Sequence, residues 1–205
     1  MKILRVLIAD DDGVTLMVLR KILVELGHAV AGEAADGEQA VALAQQHQPD
    51  LCILDIRMPK LDGLNAARQI QVDRATPVII LSAHTEAGLG SEAASVGAHA
   101  YLVKPFTAEQ LKPAIELALG SFAKSQQLAE QLQRANEALE SRKIIERAKG
   151  ILMRQARMSE EAAYLRLQRT ARNENRKLVE VARALILVEQ MRRDLDPPSD
   201  SRSRR

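Results

Sequence analysis

Short, almost wholly apolar runs alternate with amphipathic stretches through the first 121 residues. ILRVLIA, HAVAGEA, DLCILD, PVIILS and AHAYLV are too short and too uniformly apolar for half-exposed strands, so they predict buried ones. Between them lie segments of helical periodicity. Asp36 and Thr107 each precede a glutamine three positions on (Gln39, Gln110), the spacing of a capping box. Repeated strand–helix units of this kind predict an α/β fold, a doubly wound (βα)5 parallel sheet with helices on both faces. In such sheets ligands bind beyond the carboxyl ends of the strands.

The pattern then changes. From Leu111 to about Gln155 a helical pattern runs on, with Gly150 as a candidate break. Leu128, Leu132, Ala135 and Leu139 repeat with 4-3-4 spacing, so residues 122–141 predict a coiled-coil stalk for a dimer; a single helix folded back on its own domain is the alternative. Ser159, followed by Glu160 and Glu161, reads as an N-cap with acidic residues in the first turn. Ala163, Leu167 and Ala171 mark the inner face of that helix. RKLVEVARALILVEQM is apolar over so much of its circumference that burial by several partners is expected. The chain thus divides into a domain at 1–121, the stalk at 122–141, a small all-α three-helix module at 142–193 and a disordered basic tail at 194–205.

Charge sharpens that division. Residues 1–121 carry 10 Lys and Arg against 15 Asp and Glu, whereas residues 122–205 carry 19 against 12. Nine of the ten glycines lie in the first part, leaving Gly150 alone in the second. Aromatic residues are scarce, so the core is aliphatic. The single Cys52 excludes an intramolecular disulfide and suits a reducing compartment, with the thiol expected in the core. With no long apolar run and no signal-peptide pattern, a cytoplasmic protein without a membrane partner is expected.

Candidate chemistry gathers at the predicted strand ends. The first strand runs into Asp10, Asp11 and Asp12, the third ends at Asp55, the fourth at Ser82, and the fifth leads to Lys104-Pro105. Crowded carboxylates call for a cation, and oxygen donors without nearby His or Cys suit Mg²⁺. The aspartates of DDD taken alone read equally well as strand-end and N-cap residues. IADDD, LDIRMPKLDG, LSA and YLVKPF together resemble the receiver domain of bacterial response regulators, the CheY-like family, over residues 1 to about 121. That resemblance implies that Asp55 accepts a phosphoryl group from a sensor histidine kinase. Asp10, Asp11 and Asp55, with the main-chain carbonyl of Arg57, would hold Mg²⁺. Ser82 and Lys104 would contact the phosphoryl group, Tyr101 would be the switch aromatic, and Lys104-Pro105 would be cis. Arg57 and His84 flank the site where relatives tune phosphoryl lifetime. The protein is expected to be a regulator rather than an enzyme, able at most to remove its own phosphoryl group.

On the helix around Gly150, Lys143, Arg147, Gly150 and Arg154 fall within about 60° of one another, a stripe opposite Ile145, Ala148 and Leu152. A missing side chain there would let a phosphate backbone, or another helix, approach closely. Arg169 and Arg172 extend the basic character, which favours nucleic acid. ESRKIIERAKGILM and MSEEAAYLRLQRTARNENRKLVEVA resemble the ANTAR domain over roughly 132–190. That resemblance implies binding of paired RNA stem-loops in leader transcripts as a dimer and hence transcription antitermination; homodimer formation is expected on phosphorylation. A DNA-binding regulator and a protein-interaction adaptor are the alternatives, the first weakened by the lack of a short glycine-containing helix-turn-helix.

Overall fold

The computed structural model describes residues 2–83 and 97–195, and the chain forms two compact units, Met1–Leu128 and Ala129–Arg205. His84 and the last ten residues of the predicted tail lie outside the described residues.

In the first unit, β1 (Arg5–Ala9), α1 (Gly13–Glu25), β2 (Ala29–Ala34), α2 (Gly37–His47), β3 (Leu51–Asp55), α3 (Gly63–Asp73), β4 (Val78–Ser82) and β5 (Ala100–Val103) follow in order. The next helix, α4 (Ala108–Ala156), begins in this unit and continues into the second. The strands form one parallel sheet in the order β2-β1-β3-β4-β5. Because side chains alternate along a strand, the central strands feed two cores. Val6, Ile8, Ile53 and Leu81 pack with Leu19 and Leu23 of α1 and Leu111 and Ile115 of α4. Leu7, Cys52, Leu54 and Ile80 pack with Ala40 and Ala44 of α2 and Ala66 and Ile70 of α3.

The three central strands are buried as expected, but β2 and β5 are not. Both are edges, and an edge strand meets fewer packed neighbours. Tyr101 on β5 is 60% exposed. The expected helix starts are present: the Asp36 side chain accepts from the Gln39 amide while the Gln39 side chain accepts from the Ala35 amide. At Thr107 only the reciprocal half forms, the Thr107 amide donating to the Gln110 side chain.

The second unit contains the C-terminal part of α4, then α5 (Glu160–Asn173) and α6 (Leu178–Leu195). Ser159 caps α5, its hydroxyl accepting from the Ala162 amide. Ala148, Ile151, Leu167, Ala171, Val181, Ala182 and Ile186 form the core, with Ile144, Ile145 and Leu152 packed against it. Gly150 interrupts nothing. Two expectations are corrected here. Helix α6 is buried on one side only: Leu187, Val188 and Met191 are exposed because the core needs just the face carrying Val181, Ala182 and Ile186. It also extends to Leu195, so the first two residues of the expected tail are helical.

Candidate functional site

The carboxyl edge of the sheet carries a compact charged cluster. The chain leaves β1 at Ala9, pairs there with Leu54, and delivers Asp10 beside Asp55 at the end of β3. Asp55 pairs in register with Leu81, and Ser82 with Val103, which brings Ser82 and Lys104 to the same edge. Asp10, Asp55 and Ser82 are all buried, while Asp11 is exposed. Carboxylate oxygens of Asp10, Asp11 and Asp55 lie within 4.8 Å of one another. Lys104 Nζ sits 2.6 Å from Asp10 Oδ2 and 2.6 Å from Asp55 Oδ1. The other oxygen of Asp55 accepts from the Arg57 amide at 2.8 Å.

Burial pushes the Asp10 carboxyl above its usual range, and Lys104 and the Asp12 amide only partly oppose this. Burial would lower the Lys104 ammonium, but its bonds to Asp10 and Asp55 outweigh it and hold the ammonium above its ordinary value. Asp10 Oδ2 is fully enclosed and accepts no hydrogen bond of good geometry; the lysine meets it as an ion pair. Among the described residues the donor set is therefore hard oxygen, with no His or Cys in the cluster and one buried oxygen short of a hydrogen bond. That chemistry fits Mg²⁺.

The loop after Asp55 is tightly held. Gly63 amide donates to the Ile56 carbonyl, and a Cβ on Gly63 would lie 1.8 Å from the Asp55 carbonyl oxygen. A Cβ on Gly37 would lie 2.0 Å from the Leu61 carbonyl oxygen. Lys60, at a left-handed φ of 64°, reaches Asp36 at 2.7 Å and holds that carboxyl below its usual range. This clamp between the Asp55 loop and the start of α2 was not anticipated; no spacing rule connects positions 24 residues apart. The Lys104-Pro105 bond is cis.

The residues expected to contact RNA lie on two helices. Lys143, Arg147 and Arg154 on α4 and Arg169 and Arg172 on α5 are all exposed. Lys143 is paired with Glu140 at 2.7 Å; among the described residues the four arginines make no ion pair. Gly150 is half-buried, and the nearest side-chain atom to an added Cβ is Arg154 Nη1 at 3.6 Å. No other helix crowds it, so close helix packing does not explain this glycine. Beside the stripe, Lys149 is buried and bonded to Glu146 and Glu160, with its ammonium 5.9 Å from the Tyr164 ring centre. The Glu146–Lys149 spacing of three was visible in the sequence; the tie to Glu160 on α5 was not. Among the described residues no helix is long and apolar enough to cross a membrane.

Residues 6–116 match the response regulator receiver domain family and residues 133–186 match the ANTAR domain family. The transcriptional regulatory protein PdtaR of Mycobacterium tuberculosis (strain H37Rv) is 42% identical over 182 residues, 89% of each chain. The first unit resembles the signal receiver domain of a modulated diguanylate cyclase from Desulfovibrio desulfuricans G20, with 30% identity and a TM-score of 0.56 over 60% of this chain and 99% of that one. It also resembles a chain of the CheX–CheY–BeF3–Mg²⁺ complex from Borrelia burgdorferi, with 33% identity and a TM-score of 0.52 over 54% of this chain and 85% of that one.

Proposed function

The chain belongs to the response regulators, joining a receiver domain to an ANTAR domain, and on that premise we propose that phosphorylation of Asp55 controls its binding to RNA stem-loops in leader transcripts and so promotes antitermination. The observation that carries the reading is Lys104 bridging Asp10 and Asp55 at the edge of the sheet, in a chain whose second unit matches an RNA-binding family.

Asp55 Oδ1 is the nucleophile. It attacks the phosphorus of a phosphohistidine on a sensor kinase, the O–P bond forms, and the N–P bond breaks with the electron pair returning to the imidazole. Two carboxylates and an incoming phosphoryl group repel one another, so Lys104 supplies a fixed positive charge on the reacting face. Asp10, Asp11, Asp55 and the Arg57 carbonyl would hold Mg²⁺, which supplies charge neutralisation and orientation when bound. The Arg57 amide fixes the second Asp55 oxygen and leaves the first to react. Ser82, buried at the end of β4, turns toward the new dianion, and Tyr101 on the exposed edge strand reports the change at the surface. Exposed Val14 and Val18 of α1, which line a pocket with Lys104, give the kinase an apolar surface there.

In the second unit, Arg147 and Arg154, free of ion pairs among the described residues, engage the RNA backbone beside Gly150, with Arg169 and Arg172 on α5 adding charge. The 122–141 stalk, with its seam of Leu128, Leu132, Ala135 and Leu139, joins two copies when phosphorylated, and a cytoplasmic location follows from acting on nascent transcripts. The test is labelling by a small acyl phosphate with Mg²⁺, followed by hairpin-RNA affinity. Wild-type protein is expected to label and bind hairpins more tightly afterwards, whereas Asp55→Asn should do neither. Undiminished labelling of Asp55→Asn, or hairpin affinity indifferent to labelling, overturns it.

A further inference from the structure

The ANTAR match ends at residue 186, but α6 continues to Leu195. On the extension Leu187, Val188 and Met191 are 58%, 63% and 57% exposed. With Ala184 they follow i, i+3, i+4, i+7 spacing, one apolar stripe turned away from the core face of Val181, Ala182 and Ile186. Apolar exposure is ordinary when scattered; here it is contiguous on a single helix face.

The same unit has a second uncovered apolar row. Leu132 and Leu139 of the stalk are 63% and 52% exposed. A groove of about 740 Å³ runs between Leu132 and α6, lined by Leu132, Asn136, Glu137 and Glu140 on the stalk and by Arg183 on α6. Leu187 lies one helical turn beyond Arg183 on α6, next to the end of the helix that meets this groove.

We propose that the α6 stripe is a dimer surface in which Leu187, Val188 and Met191 of one copy pack against the stalk seam of a second copy. The inference rests on the homodimer reading above and extends its interface beyond the stalk. Area selects the occupant. Leu132 and Leu139 supply only part of a specific interface, whereas these two and the stripe together expose roughly 500 Å² per copy. With their polar borders, two such surfaces reach the roughly 1,200 Å² at which specific interfaces begin. Both rows occur in every copy, so a two-fold arrangement satisfies both at once, each seam taking the other copy's stripe. No receiver surface is needed to complete the contact, which lets the output unit pair while the receiver only biases the equilibrium.

The test is sedimentation equilibrium of the full chain, with and without a small acyl phosphate and Mg²⁺, alongside hairpin-RNA binding. Val188→Glu/Met191→Glu and Leu132→Asp/Leu139→Asp should each weaken dimerisation at least tenfold. Neither should lower the melting temperature at a concentration where the wild type is monomeric, because these side chains are exposed in the single chain. Stripe variants that associate like the wild type overturn the proposal; if the seam variants still dissociate, the stalk dimer survives without it. A wild type that stays monomeric under both conditions overturns proposal and stalk dimer together. Hairpin affinity in the same samples shows separately whether the RNA reading stands.

Discussion

The two units of the protein hold charge in opposite ways. At the sheet edge the charged atoms are few, mostly buried and mutually fixed: Lys104 meets both Asp10 and Asp55 at 2.6 Å, on backbone held by strand register. On α4 and α5 the charges are many, exposed and largely unpaired, and the one buried member, Lys149, is neutralised by glutamates. The first arrangement suits a reaction at one atom, where a shift of an ångström costs rate. The second suits a polyanion, where summed charge matters more than the placement of any one group. It follows that substitutions near Asp55 should act through geometry, and those on the helices through charge.

The largest expected effect tests the geometric half. Gly63→Ala would place a methyl group 1.8 Å from the Asp55 carbonyl oxygen, against backbone that has nowhere to go. We expect a loss of about 3 kcal/mol or more in receiver stability, and loss of acyl-phosphate labelling, measured by urea unfolding and phosphoprotein assay. Normal labelling of a stably folded Gly63→Ala protein would show that the Asp55 loop is pliant after all.

Charge removal comes next. Arg147→Ala and Arg154→Ala should each weaken hairpin binding by about 1–3 kcal/mol if a good phosphate contact is lost, and should reduce the salt slope by about one. Neither side chain lies in the core, so circular dichroism should be unchanged. Weaker binding with an unaltered salt slope would mean that these arginines act through shape.

Gly150→Ala divides the two ideas more finely. The added methyl finds only ordinary contact with Arg154, so the helix should gain roughly 0.5–1 kcal/mol. If the glycine leaves room for the RNA backbone, hairpin affinity falls while the melting temperature rises. A rise in both would leave the glycine without a binding role.

The smallest effect concerns the far end of the sheet. His99 Nδ1 accepts from the Val78 amide, its ring meets Phe122 edge-on, and burial holds its imidazole below the ordinary pKa. The unfolded chain takes up that proton at about pH 6.5 and the folded one only at lower pH. Stability is therefore full above about pH 6.5 and declines as pH falls toward the folded value. His99→Asn, which keeps an acceptor near Nδ1 and removes the titration, should flatten the urea-midpoint profile between pH 7.5 and 5.5. An unchanged slope would assign the dependence to other groups.

Much of this was legible in residue order. Apolar runs located five strands, caps at Asp36 and Ser159 located helix starts, and the DDD, Asp55, Ser82 and Lys104 positions named the rim before any geometry was known. These succeed because they are local: a run, a cap or a strand end is decided within a few residues. The misreadings share a different cause. HAVAGEA and RKLVEVARALILVEQM carry enough apolar residues for full burial, but one became an edge strand and the other a two-faced helix. Apolar content shows how much surface could be covered, not how many neighbours arrive to cover it.

By itself, then, the sequence determined the doubly wound receiver, the long helix, the identity of the rim residues and the imbalance of charge between the halves. Only the tertiary structure decided which contacts those residues make. It tied Lys60 to Asp36 and Lys149 to Glu160, left Gly150 clear of any packed helix, and turned Leu187, Val188 and Met191 outward. The physical reason is separation along the chain. Periodicity and capping are set by bonds and sterics among near neighbours, whereas ion pairs and burial depend on which distant surfaces folding brings together.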